Sequence, residues 1–264
     1  MKKNIPIVLC IAGSDSGGGA GIQADIKTLN TLRVFATTAI TCITAQNTQE
    51  VISIKRQQPN IVSDQIKAVL KDFKVSSIKI GMLYDKVIMQ TVSKSLKKFK
   101  HIPIILDPVM ISKSGDYLLK SSSINFFVKN ILPGSFLVTP NLHEASIITN
   151  MKKIKTKKDI EECFNKFTKL GASNVLIKGG HSEDKNKSID YLSFNNKIYT
   201  ISGKRYATSN THGTGCTLSA AISGNIALGM NLLDATKNAK RFINMAIKNS
   251  FNIGKGYGPL NHFT

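Results

Sequence analysis

The sequence predicts an α/β protein built on a mostly parallel sheet with helices on both faces, and three observations carry that reading. Short apolar runs such as IPIVLCIA (5–12) and IPIIL (102–106) are continuous rather than alternating, as in strands buried on both faces. Segments with apolar residues three and four apart separate these runs, so strand and helix alternate along the chain. Glycine-rich joints follow several runs, and the longest, SNTHGTGCTLSAAISGNIAL (209–228), leads straight into a helix. In such sheets a site forms where the strands' C-terminal ends meet the loops that follow.

The first run ends at Gly13, and GSDSGGGAGIQADIKTL (13–29) follows. Gly17, Gly18, Gly19 and Gly21 turn the chain into a helix carrying Ile22, Ile26 and Leu29. Ile22 stands where the G-x-G-x-x-G fingerprint needs its last glycine, so no dinucleotide site is read. One reading is a tight strand-to-helix turn; the other is backbone closely approaching a small ligand, with Asp25 available from the helix. Residues 36–46 mix small and β-branched groups in a strand ending at Gln46, and Asn47 and Thr48 turn the chain into the short strand VISIKR (51–56). Gln46 is either a solvated strand end or an amide matched to the donor–acceptor edge of a heterocycle.

Pro59 opens a helix with Val62, Ile66, Val69, Leu70 and Phe73 on one face, and the strand 78–83 ends in Gly81 and Met82. Asp85 starts the next helix. The strand 102–109 carries Asp107 after its apolar residues, where a carboxylate is costly unless it meets a metal, a cation or several donors. Function is therefore favoured for Asp107. A loop at 113–119 precedes a helix near 121–131, and the strand 136–139 is stopped by Pro140. Asn141 and Glu144 bring a neutral oxygen and a carboxylate to one place, which suits magnesium or, equally, ordinary capping of a helix. Thr156 and Asp159 approximate a capping box for a helix running to Leu170. The strand 174–178 ends in Lys178, placed to reach phosphate or simply solvated. Residues 189–206 read as a hairpin through Asn195-Asn196. A last helix carries Leu232, Ala235, Ala239, Phe242, Ile243 and Ala246.

The joint at 209–228 is the organising stretch. Gly213 and Gly215, flanked by Thr211, Thr214 and Thr217, let successive amides point one way at the positive end of a helix. That makes a mouth for an anion, usually phosphate; the plainer reading is a glycine-rich start to a buried helix. No lysine follows Gly215, so the joint is not the usual P-loop. Cys216 falls in the first turn, where free amides and the helix dipole favour a thiolate.

Length and composition fit one large domain spanning 1–264, with no linker or repeat. The formal charge of +20 invites nucleic acid or an anionic membrane as partner. Lysine supplies nearly all of it, 32 Lys against 4 Arg, spread along the chain with no aromatic–basic interleaving, so neither partner is expected. The four cysteines, Cys10, Cys42, Cys163 and Cys216, form no C-x-x-C pair and point to a reducing cytoplasm. The N-terminal Met-Lys-Lys and apolar run imitate a signal peptide, but the run is short and lacks a convincing cleavage site. The expectation is that residues 5–12 stay as a strand of the mature protein.

Taken in order, AGSDSGGGAGIQADIKT, AQNT, IKIGML, LDPVM, SGDYLL, TPNLHEA, LIKGGH, THGTGCTLSAAI and GPLNHF cover nearly the whole chain. Together they resemble the hydroxymethylpyrimidine/phosphomethylpyrimidine kinases of thiamine biosynthesis, members of the ribokinase-like superfamily. The resemblance implies a three-layer α/β/α fold, a homodimer, ATP with Mg2+, and two successive phosphorylations, of a pyrimidine alcohol and then of its monophosphate. It implies that Gln46 reads the pyrimidine ring, with Gly13, Met82 and Val109 in the same pocket and Asp25 beside it. It implies an anion hole at Thr211, His212, Gly213, Thr214, Gly215 and Cys216, with Cys216 as catalytic base. Asn141, Glu144 and Asp107 match the magnesium–phosphate element, with Asp107 and Glu144 as metal carboxylates, and Lys178 matches the phosphate-contacting lysine. Three alternatives remain: a pyridoxine or pyridoxal kinase of the same superfamily, a hydrolase pairing Cys216 with His212, and a nucleic-acid-binding protein resting on charge alone.

Overall fold

The computed structural model describes residues 5–111, 115, 118–179 and 186–263. Nine strands form one sheet in the order β3-β2-β1-β4-β5-β6-β7-β8-β9. They are β1 (Ile7–Asp15), β2 (Phe35–Gln46), β3 (Val51–Arg56), β4 (Ser77–Ile80), β5 (Ile104–Leu106), β6 (Leu137–Val138), β7 (Val175–Ile177), β8 (Lys187–Phe194) and β9 (Lys197–Lys204). The six strands from β2 to β7 run parallel, while β3 on one side and β8–β9 on the other are antiparallel additions. The hairpin at Asn195-Asn196 forms as expected. Both residues take left-handed φ, 51° and 56°, as a two-residue turn between twisted strands requires.

Helices cover both faces, as the alternation demands. On one face α1 (Gly21–Thr31), α7 (Thr214–Ala227) and α8 (Leu232–Lys248) pack together. The other carries α2 (Pro59–Asp72), α3 (Lys86–Leu96), α4 (Ile124–Asn130), α5 (Leu142–Thr149) and α6 (Lys157–Lys169). The three-layer α/β/α arrangement is thus present. The larger core, with Leu9, Ile66, Ile88 and Phe167, fills the α2–α6 side, and smaller ones lie under α7–α8 and α1. Helix α7 is buried from Thr217 to Asn225, because its small residues let neighbours approach. A Cβ at Gly224 would press to 3.0 Å from Leu29.

Several boundaries depart from expectation for local reasons. β1 does not stop near Ala12 but continues past Gly13 to Asp15, with its register to β2 shifting between Ala12 and Ser14. Gly13 sits in that irregularity, where a Cβ would lie 2.8 Å from the Cys42 sulfur. β4, β5 and β6 are shorter than the apolar runs, since each run continues into a buried loop at the sheet edge. α4 is preceded by a 3-10 turn at Ser121–Ser123, and α5 opens at Leu142 rather than Glu144. In the 113–119 loop, residues 113, 114, 116 and 117 lie outside the described residues, as do the Gly180-His181 end of LIKGGH and residues 1–4. Among the described residues no helix is long and apolar enough to cross a membrane.

Candidate active site

Parallel strands all end at one edge, so the residues after β1, β5, β6 and β7 gather there together with the N-terminus of α7. Every residue predicted for the site except Asp25 lines one cleft of about 940 Å³ at this edge. Gly13, Met82, Val109 and Gln46 occupy one end, and Asp107, Asn141, Glu144 and Lys178 lie toward the other. Thr211 to Cys216 run along the wall from one to the other, with His212 3.5 Å from Gln46 and Gly215 beside Lys178 and Asp107.

That wall is shaped by Gly213, the N-cap of α7, whose φ of 82° is left-handed. A Cβ there would overlap the Gly19 carbonyl, so only glycine lets the two loops touch. The Thr214 hydroxyl donates to the Thr211 carbonyl at 2.7 Å, and Ser219 one turn on donates toward Asp107 at 3.4 Å. Cys216, half-buried on the cleft wall, does not show the expected drop toward a thiolate. Burial pushes the thiol up to about 11; Asp107 and Asp25 add to that push, and Lys79 and the Gly21 amide oppose it. The helix N-terminus alone does not outweigh desolvation and two nearby carboxylates.

At the other end, the Lys178 ammonium donates to Asp107 Oδ1 at 2.7 Å, and the Thr139 hydroxyl donates to the same oxygen at 3.1 Å. Burial pulls the Lys178 pKa down, but Asp107 and Glu144 outweigh it, so the lysine stays charged. Asn141 and Glu144 form a complete capping box on α5: Asn141 Oδ1 accepts from the Glu144 amide at 2.9 Å, and Glu144 Oε2 from the Asn141 amide at 2.8 Å. Of the two readings of this pair, capping is realised in full, and both residues also line the cleft. Burial raises Glu144 to about 7 against the pull of Lys178, and Asp107 adds to the rise. Among the described residues no group of three or more His, Cys, Asp or Glu side chains stands ready to cage a metal. Two buried carboxylates, Asp107 and Glu144, beside Lys178 fit an ion such as Mg2+, which takes few protein oxygens and completes its shell with water and phosphate.

Of the two readings of the glycine loop after β1, its hydrogen bonds match the tight strand-to-helix turn. The amides of Gly17, Gly19 and Ala20 turn inward to the Asp15 carboxylate at 2.8, 3.2 and 2.8 Å. His212 Nε2 meets the same carboxylate at 2.8 Å and lies 3.5 Å from Gln46 Nε2. Burial would raise the Asp15 pKa, yet His212 and the amides hold it below the ordinary range. His212, expected with the nucleotide, therefore turns its ring to the Gln46 end. Its packing needs Gly19, since a Cβ there would run into the imidazole. Asp15 carried no comparable signal, because it follows Gly13 and Ser14 rather than the apolar run itself, whereas Asp107 comes directly after apolar residues.

Asp25 requires a correction. It is fully buried beneath the cleft and accepts from the Lys79 ammonium at 2.8 Å through both oxygens, so it faces the interior of the fold rather than a ligand. The tail GPLNHF also joins the site. The His212 amide donates to the Gly258 carbonyl at 3.1 Å, and Thr217 of α7 shares a 2.9 Å hydrogen bond with His262 Nε2.

A cleft that joins a helix N-terminus, a largely buried lysine and two carboxylates, set on this sheet, places the chain in the class of ribokinase-like kinases. The comparisons narrow the class. A profile described as phosphomethylpyrimidine kinase matches residues 15–261. Hydroxymethylpyrimidine/phosphomethylpyrimidine kinase of Haemophilus influenzae is 42% identical over 263 residues, covering 98% of this chain and 97% of that protein. The crystal structure of phosphomethylpyrimidine kinase from Clostridium difficile 630 superposes with a TM-score of 0.81 at 37% identity, covering 92% of this chain and 100% of that one. An ADP complex of Bacillus subtilis pyridoxal kinase superposes with a TM-score of 0.90 at 33% identity, covering 98% of each chain. The chain belongs to the phosphomethylpyrimidine kinase family.

Proposed function

We propose that the chain uses ATP to phosphorylate 4-amino-5-hydroxymethyl-2-methylpyrimidine and then its monophosphate, in thiamine biosynthesis. The observation that carries the reading is that one cleft joins the Gln46 end to the Lys178–Asp107–Glu144 end across the N-terminus of α7. In this reading Gln46 reads the ring, with Gly13, Met82 and Val109 shaping a flat apolar slot. The amides of residues 213–216 face the transferring phosphoryl group, where fixed donors stabilise charge without reorganising. Lys178 holds the phosphate chain, with Asn141 and Thr211 beside it. Transfer is in-line attack by the hydroxymethyl oxygen on the γ-phosphorus, breaking its bond to the bridging oxygen of ADP.

In this reading Cys216 takes the hydroxyl proton. A magnesium ion held by Asp107 and Glu144 would neutralise phosphate charge and offset the carboxylates that resist loss of the thiol proton. All 264 residues would act as one kinase domain, supported by the single continuous sheet. Two copies would pair through the β2–β3 edge, where Ile43 and Ile52 are 48% and 68% exposed. The unpaired thiols favour a reducing cytoplasm.

The deciding experiment is an ATP-dependent assay with the pyrimidine alcohol that follows mono- and diphosphate separately. Formation of both products in sequence is expected; ATP turnover on neither pyrimidine would sink the reading. The likeness to pyridoxal kinase motivates pyridoxal as a competitor in the same assay, and preferential phosphorylation of pyridoxal would establish the alternative.

A further inference from the structure

We propose that Lys79, held by Asp25, is a positioning residue for phosphoryl transfer: its sealed ammonium stands beneath the N-terminus of α7 and supports the negative charge that Cys216 and the anion hole take up. The inference rests on the reading of Cys216 as proton acceptor.

The placement follows from strand and helix periods. Ser77 of β4 bonds Ser223 of α7 at 2.7 Å, so that face of β4 looks at α7. Lys79, two residues on, faces the same way about 6.6 Å nearer the sheet edge. Ser219, four residues earlier on α7, lies on the same helix face about 6 Å nearer that edge, and Cys216 is the next step. The Lys79 side chain reaches further still. Its Nζ would lie 3.0 Å from a Cβ at Gly81, and Gly81 is level with Asp107, since Ile80 pairs with Leu106 on the adjacent strand. The ammonium thus ends just under the cleft floor without entering it; both it and Asp25 are 0% exposed.

Such a pair is expensive as a structural device. Apolar residues of similar volume often serve as well or better, and Lys79 is among the largest fully buried side chains of the described residues, the only charged one in that group. Its surroundings explain what a charge can do there. The groups acting on Cys216 are Lys79 from β4, Asp25 and the Gly21 amide from α1, Asp107 after β5 and Lys178 after β7. Cys10 of β1 is a buried neutral thiol, Asp15 and His212 in the adjoining loops bind each other, and Lys240 of α8 is committed to Asp190 at 2.7 Å. Of the cations, Lys79 opposes the Cys216 proton most, which agrees with the geometry.

The test is the neutral double variant Lys79→Met/Asp25→Asn in the full chain, beside Asp25→Asn alone. The double variant should keep the wild-type melting temperature or exceed it, lose about tenfold or more in kcat, and leave the KM for ATP within about threefold. Iodoacetamide labelling of Cys216 at pH 8, read by mass spectrometry without substrate, should slow about threefold or more in the double variant. In Asp25→Asn it should speed up, because the lysine stays and its counter-charge goes. A folded double variant with unchanged labelling and kcat would overturn the proposal. So would a double variant that fails to fold, which would make the pair structural. Labelling needs no substrate, so it separates failure of this proposal from failure of the pyrimidine reading.

Discussion

The two ends of the cleft are built from different materials. At the Gln46 end the chain comes close to itself: Gly13 admits the Cys42 sulfur, Gly19 admits the His212 ring and Gly213 meets the Gly19 carbonyl. At the Lys178 end long charged side chains arrive from separate strands and meet at 2.7 Å. On the proposed function a flat neutral ring would be recognised by shape and one amide, and shape needs backbone that cannot shift. Phosphates are recognised by charge, which tolerates distance and movement. Substitutions at the first end should therefore fail sterically, and those at the second should respond to metal, pH and salt.

The sharpest test of the boundary between them is Cys216→Ser. Turnover should fall about 100-fold or more, the scale of a lost general base, while ATP affinity stays near normal because the amides survive. Normal turnover would remove Cys216 as proton acceptor. Next comes Gly213→Ala, which joins a strained φ to an overlap with the Gly19 carbonyl. It should cost about 1–3 kcal/mol in urea unfolding and reduce binding of pyrimidine and ATP alike; an unperturbed variant would mean that the loops are not locked.

Gln46→Leu should raise the KM for the pyrimidine about tenfold or more and leave that for ATP alone, by the cost of an unpaired polar edge. Equal losses for both substrates would erase the distinction between the ends. Glu144→Gln should shift the magnesium titration of activity to higher concentration, and an unchanged titration would discard the carboxylate as a metal ligand.

The smallest effect concerns the tail. Burial, helped by the charge of Lys27, holds His262 down at about 4. Between the ordinary histidine value and 4 the unfolded chain binds a proton that the folded one refuses, so stability is lost as pH falls through that window. His262→Gln should flatten the fall in melting temperature from pH 6.5 to 4, and a parallel curve would contradict the assignment.

Much of this was legible in the sequence because buried parallel strands advertise themselves and their ends share an edge. Asp107 and Lys178 could be placed without knowing strand order, since each closes an apolar run. The shape of the Gln46 end was not, because it depends on which glycine faces which loop across long separations. The SDSGGG stretch read equally as a tight turn or as backbone awaiting a ligand; the amides of Gly17, Gly19 and Ala20 bond Asp15, a local closure that periodicity does not report. Asp25 misled because a helical carboxylate reads as exposed or functional, and its partner Lys79 sits in an apolar strand where a lysine carries no pattern. The rise of the Cys216 pKa was hidden for a similar reason: the helix N-terminus is visible in sequence, the burial that outweighs it is not.

The tail carries a consequence for biogenesis. Residues 258–262 bond the loop before α7 through His212 and the helix itself through Thr217, and the Thr31 hydroxyl donates to the His262 carbonyl. A ribosome making this chain finishes every strand of the sheet well before those residues leave the exit tunnel. Until those residues emerge, the mouth of α7 lacks its clasp. Truncation near residue 257 should therefore yield a chain that keeps its sheet but has a loosened N-terminus of α7.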